Sequence, residues 1–182
     1  NRSMFLEVVA GFWFFGENIG TVANSWRFCE DHHDEWKSTT EAIACRITQV
    51  NATGSPGAWA FMDFLDTGGK GCSKFTAPHC PGQTDDAYRT EFAIWSLTQS
   101  PLLVSTDVRN MTTVMQQTLL NKEIVQIHQN TSTPPGHLLG EWPCDELGHC
   151  LVFGRRLDNK GSDWLIALVN TGEKHHSIDL SW

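Results

Sequence analysis

The chain has few basic residues and no long hydrophobic run. It carries 13 Lys and Arg against 21 Asp and Glu, a formal net charge of −8 at pH 7. Because such a surface repels phosphate groups, we expect neither nucleic acid nor an anionic membrane as a partner. Residues 4–15 are strongly apolar, but they include Glu7 and are too few to span a bilayer. They are predicted to form a buried strand; the alternative, a signal-peptide core, lacks a basic lead-in and a cleavage site.

Tyrosine is also scarce, with one residue against eight tryptophans. Indole faces suit the C–H faces of sugar rings, although tryptophan is equally a core residue. The 182 residues suffice for a domain with a real core. Since the chain begins at Asn1 and not at Met, we expect it to be processed or to be a piece of something longer.

The cysteines and the N-glycosylation sequons point to one kind of compartment. Six cysteines form an even set, and four sequons begin at Asn1, Asn51, Asn110 and Asn130. Together they favour an oxidising, glycosylating environment and predict a secreted, lysosomal or vacuolar protein.

The pairing of the cysteines stays open at this stage. Cys72 and Cys80 are close in sequence, as are Cys144 and Cys150, and each pair could form a disulfide that closes a short loop. Cys29 and Cys45 would then be the remaining pair. Adjacent histidines raise zinc as an alternative, but the spacing matches no zinc pattern and we favour disulfides.

The pattern of apolar residues predicts two parts of the chain with different secondary structure. Strands are predicted at 4–15, 21–28, 58–65 and 102–106, and helices at about 34–50, 84–99 and 112–120. Strands that alternate with helices predict a mostly parallel sheet covered on its faces. After Pro134-Pro135-Gly136, short strands at 137–142, 150–157, 164–170 and 175–180 predict an antiparallel β pattern. The predicted domains are therefore residues 1–135 and 136–182.

Arg27 and Asp31 follow the second predicted strand, just before a helix. A carboxyl group and a guanidinium at a strand-to-helix junction suit acid/base chemistry on a polar substrate. Two other interpretations are open: Asp31 could cap the next helix, or the pair could form a surface ion pair on an unrelated α/β domain. His32 and His33 are assigned to solvated loop positions.

Several motifs resemble glycoside hydrolase family 27, the α-galactosidases and α-N-acetylgalactosaminidases. They occur in the family's order within residues 21–135. They are Ala23-Asn24-Ser25-Trp26-Arg27 with Asp31, Asp34-Glu35-Trp36-Lys37-Ser38, Gly57-Ala58-Trp59 with Asp63, Tyr88 to Leu97, Ser100-Pro101-Leu102-Leu103, Asp107 to Met111, and Leu120 to Ile124.

The resemblance implies the fold, the activity and the site residues. The fold would be the C-terminal half of a (β/α)₈ TIM barrel, roughly strands five to eight, followed by the beginning of an antiparallel β-sandwich. The activity would be that of a retaining exo-glycosidase that releases terminal α-linked galactose. Asp31 would be the acid/base, and Arg27, Asp63 and Trp59 would bind the sugar. The partner is then a carbohydrate, no metal or other cofactor is implied, and a homodimer is compatible with the sequence.

The sequence also departs from the family pattern. Nothing matches the family's Lys-x-Asp nucleophile segment, which we expect upstream of Asn1, so this chain alone is not expected to hydrolyse a glycoside. Ala60-Phe61-Met62 replaces the polar Asn-Asp-Pro run, and residues 7–13 match the sugar-reading segment of strand five poorly. These departures leave an alternative open: a catalytically inactive carbohydrate-binding or cell-surface protein on the same fold.

Overall fold

The computed structural model describes residues 4–9, 16–48, 54–71, 81–146 and 148–180. The predicted Cys72–Cys80 pairing and the sequons at Asn1 and Asn51 lie outside these residues. Among the described helices, none is long and apolar enough to cross a membrane.

Three short strands form a parallel sheet, as the alternating pattern predicts. They are β1 (Glu7–Val9), β2 (Ser25–Arg27) and β3 (Trp59–Phe61), and they lie in the order β1-β2-β3. The strand predicted at 102–106 is reduced to one parallel bridge between Leu65 and Val104. A parallel sheet brings the carboxyl ends of its strands to one edge, which is where the polar residues lie.

In the described part of the chain, four α-helices connect these strands or follow them. They are α1 (Trp36–Thr48), α2 (Asp85–Leu97), α3 (Thr113–Leu119) and α4 (Lys122–Gln129). Short 3₁₀ helices lie at Gly16–Thr21 and Val108–Asn110.

The start of α2 shows why the sequence folds locally as predicted. The Thr84 hydroxyl accepts a hydrogen bond from the Ala87 N–H, and Asp85 and Asp86 occupy the positively polarised first turn. The helix ends at Leu97, four residues before Pro101. The helix predicted at 84–99 is thus confirmed, as are those at 34–50 and 112–120 within a few residues. The helix α4 was not predicted.

The C-terminal part forms an antiparallel sheet of three strands. These are β4 (His137–Pro143), β5 (His149–Arg156) and β6 (Trp164–Asn170), in that order. A disulfide between Cys144 and Cys150 closes the connection from β4 to β5. The strand predicted at 175–180 is absent, because these residues form no strand in the structure.

One hydrophobic core joins the two sheets. Trp26, Trp95 and Leu97 on the parallel side belong to the same buried cluster as Leu151 and Phe153 of β5. The junction is also polar, because the buried Arg155 guanidinium donates to the main-chain oxygens of residues in the segment 127–134. This shared core fixes the position of α2, and α2 lies behind the polar residues at the ends of β2 and β3.

Candidate active site

The site lies at the carboxyl ends of β2 and β3. In the parallel register Arg27, the last residue of β2, is level with Phe61, the last residue of β3. Asp31 follows β2 by four residues and Asp63 follows β3 by two. Because both strands run in the same direction, their C-terminal extensions meet over one edge of the sheet.

Arg27 connects the two carboxylates. Its Nη2 lies 2.5 Å from Asp31 Oδ1, and its Nη1 donates to Asp63 Oδ2 at 2.6 Å. Burial alone would lower the pKa of Arg27, but the charges and hydrogen bonds of the two carboxylates outweigh it, and the pKa is raised. The guanidinium therefore stays charged and uses its planar fork to hold both acids.

Asp63 is fully engaged in hydrogen bonds. Besides Arg27, its Oδ2 accepts from the main-chain N–H of His32 at 3.0 Å, and its Oδ1 accepts from the Phe64 N–H at 2.8 Å. Its backbone has a φ of 95°, a conformation that asparagine and aspartate tolerate better than most residues. The Trp95 indole N–H donates to its carbonyl oxygen at 2.8 Å. Asp63 is thus a buried, rigid support for Arg27.

Asp31, by contrast, is open to solvent. Its side chain is 68% exposed, against 7% for Asp63. It does not cap the following helix, because α1 begins at Trp36, five residues later. Asp31 lines a cavity of about 500 Å³ together with the Cys29–Cys45 disulfide and Glu41. An exposed carboxylate that pairs with Arg27 can still approach a ligand and exchange a proton with it.

Trp59 is not brought to this cluster. It is the first residue of β3 and is level with Ser25, so it lies two residues before the strand end that leads to Asp63. It lines a separate cavity of about 360 Å³ with Phe5 and His128. Among the residues predicted for the site, the structure brings Arg27, Asp31 and Asp63 together and leaves Trp59 apart.

His32 belongs to the site, although it was assigned to a solvated loop. That assignment is wrong for His32, whose side chain is 1% exposed. Its Nδ1 lies 3.0 Å from the Phe64 carbonyl oxygen, and its Nε2 lies 3.2 Å from the Thr39 hydroxyl. The ring packs against the Trp95 indole with centroids 5.2 Å apart. Burial lowers the pKa of His32, which favours a neutral ring.

Two acids lie behind His32, the half-buried Asp66 and the fully buried Glu91. Its Nδ1 is 3.4 Å from Asp66 Oδ2 and 3.6 Å from Glu91 Oε1. Glu91 accepts from the Asp66 main-chain N–H at 2.7 Å and from the Thr67 hydroxyl at 2.8 Å. Burial raises the pKa of Glu91 to about 8, so Glu91 keeps its proton at neutral pH, and burial also raises the pKa of Asp66.

A third buried acid, Asp34, fixes the neighbouring loop. Its Oδ1 accepts from the Tyr88 hydroxyl at 2.8 Å, and its Oδ2 accepts from the Gly71 N–H at 2.6 Å. Burial raises the pKa of Tyr88 to about 12. Sequence reasoning missed this network, although helical spacing places Glu91 on the same face of α2 as Tyr88 and Trp95.

The arrangement suits proton transfer. Within the described ranges no group of three or more His, Cys, Asp or Glu side chains could hold a metal ion. What the site offers is one exposed carboxylate, one guanidinium and a rigid buried acid, a set that can hold a polar ligand and donate or accept a proton.

Comparison with known proteins gives the family. A sequence model described as Alpha galactosidase A matches residues 15–130. Alpha-galactosidase 3 of Arabidopsis thaliana is 33% identical over 164 residues, which are 88% of this chain and 33% of that protein. The chain thus spans about a third of the length of that curated relative.

Solved structures show the same fold. The crystal structure of a GH27 β-L-arabinopyranosidase from Geobacillus stearothermophilus aligns with a TM-score of 0.70 and 20% identity, over 88% of this chain and 36% of that one. The α-galactosidase of Saccharomyces cerevisiae, solved with raffinose, aligns with a TM-score of 0.69 and 18% identity, over 93% and 40%. At these identities the likeness concerns the fold alone, that of TIM-barrel enzymes, in agreement with the α/β class predicted for residues before 135.

The family model covers more than half of the chain, and it includes all three residues that meet at the ends of β2 and β3. The chain therefore belongs to the Alpha galactosidase A family, glycoside hydrolase family 27.

Proposed function

We propose that the full-length protein containing this chain is a retaining exo-glycosidase of the α-galactosidase type. It would hydrolyse terminal α-linked galactose from oligosaccharides or glycoconjugates. The observation that carries the proposal is the bridge that Arg27 makes between an exposed carboxylate, Asp31, and a buried one, Asp63. The membership in a family of glycoside hydrolases supports it.

The strand order supports the proposed architecture. Residues 1–135 would contribute roughly strands five to eight of a (β/α)₈ barrel, and residues 136–182 would begin a C-terminal antiparallel β-sandwich. The parallel sequence β1-β2-β3, with a further parallel bridge from Leu65 to Val104, supports this assignment. In such barrels the active site lies at the carboxyl ends of the strands, the edge at which Arg27 and Asp63 lie.

Each of the three residues would have a distinct part in the reaction. Asp31, as a carboxylic acid, would protonate the glycosidic oxygen while an upstream carboxylate attacks the anomeric carbon and the aglycone departs. As a carboxylate it would then take a proton from the water that cleaves the glycosyl-enzyme bond. Arg27 would hold the sugar and orient Asp31, and Asp63 would orient Arg27 and contact the sugar. Trp59 stays a predicted sugar-binding residue without support from its position.

The test is the Asp31→Ala variant of the full-length protein. With an aryl α-galactoside as substrate we expect kcat to fall by about 10²–10⁴, the usual contribution of a general acid/base. Glu30→Ala, which removes the exposed neighbouring carboxylate, is the matched control and should retain activity. Unchanged turnover in Asp31→Ala would contradict the proposal.

Azide adds a readout that a folding defect cannot imitate. A small anion can replace water in the attack on the glycosyl-enzyme and needs no base to deprotonate it. We therefore expect azide to restore turnover of Asp31→Ala and to yield the α-galactosyl azide, with retained configuration. A β-azide would assign Asp31 to the nucleophile instead.

A second candidate is a carbohydrate-binding protein without activity. Phe61, at the end of β3, is buried and packs edge-on against Phe64 with ring centroids 5.6 Å apart. Phe64 is 46% exposed, so it is the ring of this pair on which a sugar would stack. Isothermal titration with galactose would support this candidate if it shows binding while the full-length protein hydrolyses no glycoside.

The remaining proposals concern partners and compartment. We propose that the ligand is a carbohydrate. We also propose that the protein forms a homodimer, which size-exclusion chromatography with light scattering would test. The disulfides Cys29–Cys45 and Cys144–Cys150 support a secreted, lysosomal or vacuolar protein, because such bonds persist in oxidising compartments.

A further inference from the structure

We propose that Asn110 carries an N-linked glycan and that Asn130, which has an equally valid sequon, does not. The inference rests on the secretory route proposed above and not on the catalytic proposal. Two sequons lie within the described residues. They are Asn110-Met111-Thr112 and Asn130-Thr131-Ser132.

Asn110 has the surroundings of a modified residue. It is exposed at the end of the 3₁₀ helix Val108–Asn110, and only its main-chain N–H makes a described hydrogen bond, to the Asp107 carbonyl oxygen at 3.3 Å. Its side-chain amide has no hydrogen-bond partner among the residues that the structure describes. It stands at the rim of a polar cavity of about 380 Å³, where a glycan can extend into solvent.

Asn130 has the opposite surroundings. Its Oδ1 accepts from the main-chain N–H of Ser132 at 2.9 Å and from the Ser132 hydroxyl at 2.6 Å. Its Nδ2, the atom that a glycan would occupy, donates to the Leu157 carbonyl oxygen at 3.3 Å. Both ends of this side-chain amide are thus engaged by the protein.

The main chain of Asn130 is engaged as well. Its carbonyl oxygen accepts from the Gln99 side chain at 2.9 Å and from the buried Arg155 guanidinium. These contacts hold the end of α4 against β5 and against the residue that follows the C-cap of α2. A sugar on Nδ2 would replace one of the two amide hydrogens beside the Leu157 carbonyl oxygen, so we expect a chain modified there to lose contacts between the end of α4 and β5.

The modification itself is a balanced group transfer. The Nδ2 of asparagine forms a bond to C1 of the first sugar of a lipid-linked oligosaccharide diphosphate. The C1–O bond to the diphosphate breaks, the lipid diphosphate leaves with the bonding pair, and the amide nitrogen loses one proton. Because transfer acts on the unfolded segment, the folded structure decides which modified chain can still reach its native contacts.

Site mapping of the full-length protein, secreted from a eukaryotic host, tests the proposal. Peptide-N-glycosidase treatment in H₂¹⁸O converts each glycosylated asparagine to labelled aspartate, which mass spectrometry locates. We expect the label at Asn110 and unlabelled asparagine at Asn130. An unlabelled Asn110, or a label at Asn130, would overturn the inference.

Variants give an independent readout by electrophoretic mobility. Asn110→Gln should remove one glycan, Thr112→Ser should retain it because serine also completes the sequon, and Ser132→Ala should cause no shift. Thr112→Ser also keeps the hydroxyl that caps α3, so it controls for folding. A full glycan complement on Asn110→Gln would contradict the proposal. None of these measurements uses catalytic activity, so their failure and that of the proposed function are distinguishable.

Discussion

The main-chain N–H of His32 and the guanidinium of Arg27 donate to the same oxygen, Asp63 Oδ2, at 3.0 and 2.6 Å. One buried carboxylate therefore fixes both the side chain that holds Asp31 and the peptide unit directly after Asp31. The position of the exposed acid depends on Asp63 through two separate connections.

Replacing Asp63 with asparagine should weaken both connections without disturbing the backbone. Asparagine has the same size and tolerates the positive φ of this residue. Hydrogen bonds to charged groups contribute about 1.5–3 kcal/mol, so we expect kcat/KM of the full-length protein to fall about tenfold to a hundredfold. Steady-state kinetics with an aryl α-galactoside measure this.

The matched control is Asp107→Asn, which removes an exposed carboxylate that forms an ion pair with Arg109. An exposed pair of this kind adds little to stability. We expect its kinetics and its urea midpoint to equal those of the wild type. Equal effects of the Asp63 and Asp107 substitutions would refute the role assigned to Asp63.

The buried acids predict that stability falls as the pH rises. Burial raises the pKa of Glu91 from 4.5 to about 8, with Asp66 and Asp34 adding like-charge repulsion. Between these values the folded state keeps a proton that the unfolded state has lost, so the free energy of unfolding decreases with increasing pH. Asp66, with its raised pKa, acts in the same direction, whereas buried neutral His32 acts in the opposite direction below about pH 6.5.

Urea unfolding from pH 7 to 8 emphasises the contribution of the acids, because an unfolded histidine with a pKa of about 6.5 is mostly neutral over this range. We expect the free energy of unfolding to decline over this range in the wild type. In Glu91→Gln, which keeps the size of the side chain and cannot ionise, the decline should be smaller. A variant with the wild-type slope would show that Glu91 is not the group responsible.

The two disulfides should differ in their contribution to stability. The Cys29–Cys45 bond closes a separation of 16 residues and the Cys144–Cys150 bond one of 6. Loop-closure entropy gives about 3 kcal/mol for the longer loop and about 2 kcal/mol for the shorter one. Urea unfolding of the two paired Cys→Ser variants should therefore rank Cys29→Ser/Cys45→Ser as the less stable. The reverse order would indicate that strain or residual structure dominates.

Local signals account for what the sequence predicts well. The start of α2 follows from Thr84 and the two acids after it, all within one helical turn. The missed helix α4 has only eight residues, about two turns, so its apolar periodicity has little length in which to show. The segment 102–106 has the composition of a strand, but its pairing depends on a distant partner, and only Val104 forms a bridge.

Long-range packing accounts for what the sequence does not predict. Two adjacent histidines suggest a solvated loop, yet His32 is buried because Trp95, Thr39 and Phe64 surround it from other segments. Arg27 and Asp31 could be identified as a pair from one segment alone. The third member, Asp63, reaches them across 32 residues or more of sequence and was found only through the family resemblance.

The sequence motif of Trp59 and its position in the structure indicate different roles. The family resemblance makes it a sugar-binding residue, whereas the register places it level with Ser25, away from the strand ends. It lines its cavity together with Phe5, Pro101 and four polar residues, Gln99, His128, Gln129 and Thr131. We therefore expect Trp59→Phe to leave KM for an aryl α-galactoside within about twofold of the wild type and to lower the urea midpoint slightly, since a smaller ring buries less apolar area. A severalfold rise in KM with an unchanged midpoint would instead return Trp59 to the sugar site, and would mean that the sugar reaches deeper along β3 than Asp31 and Asp63 indicate.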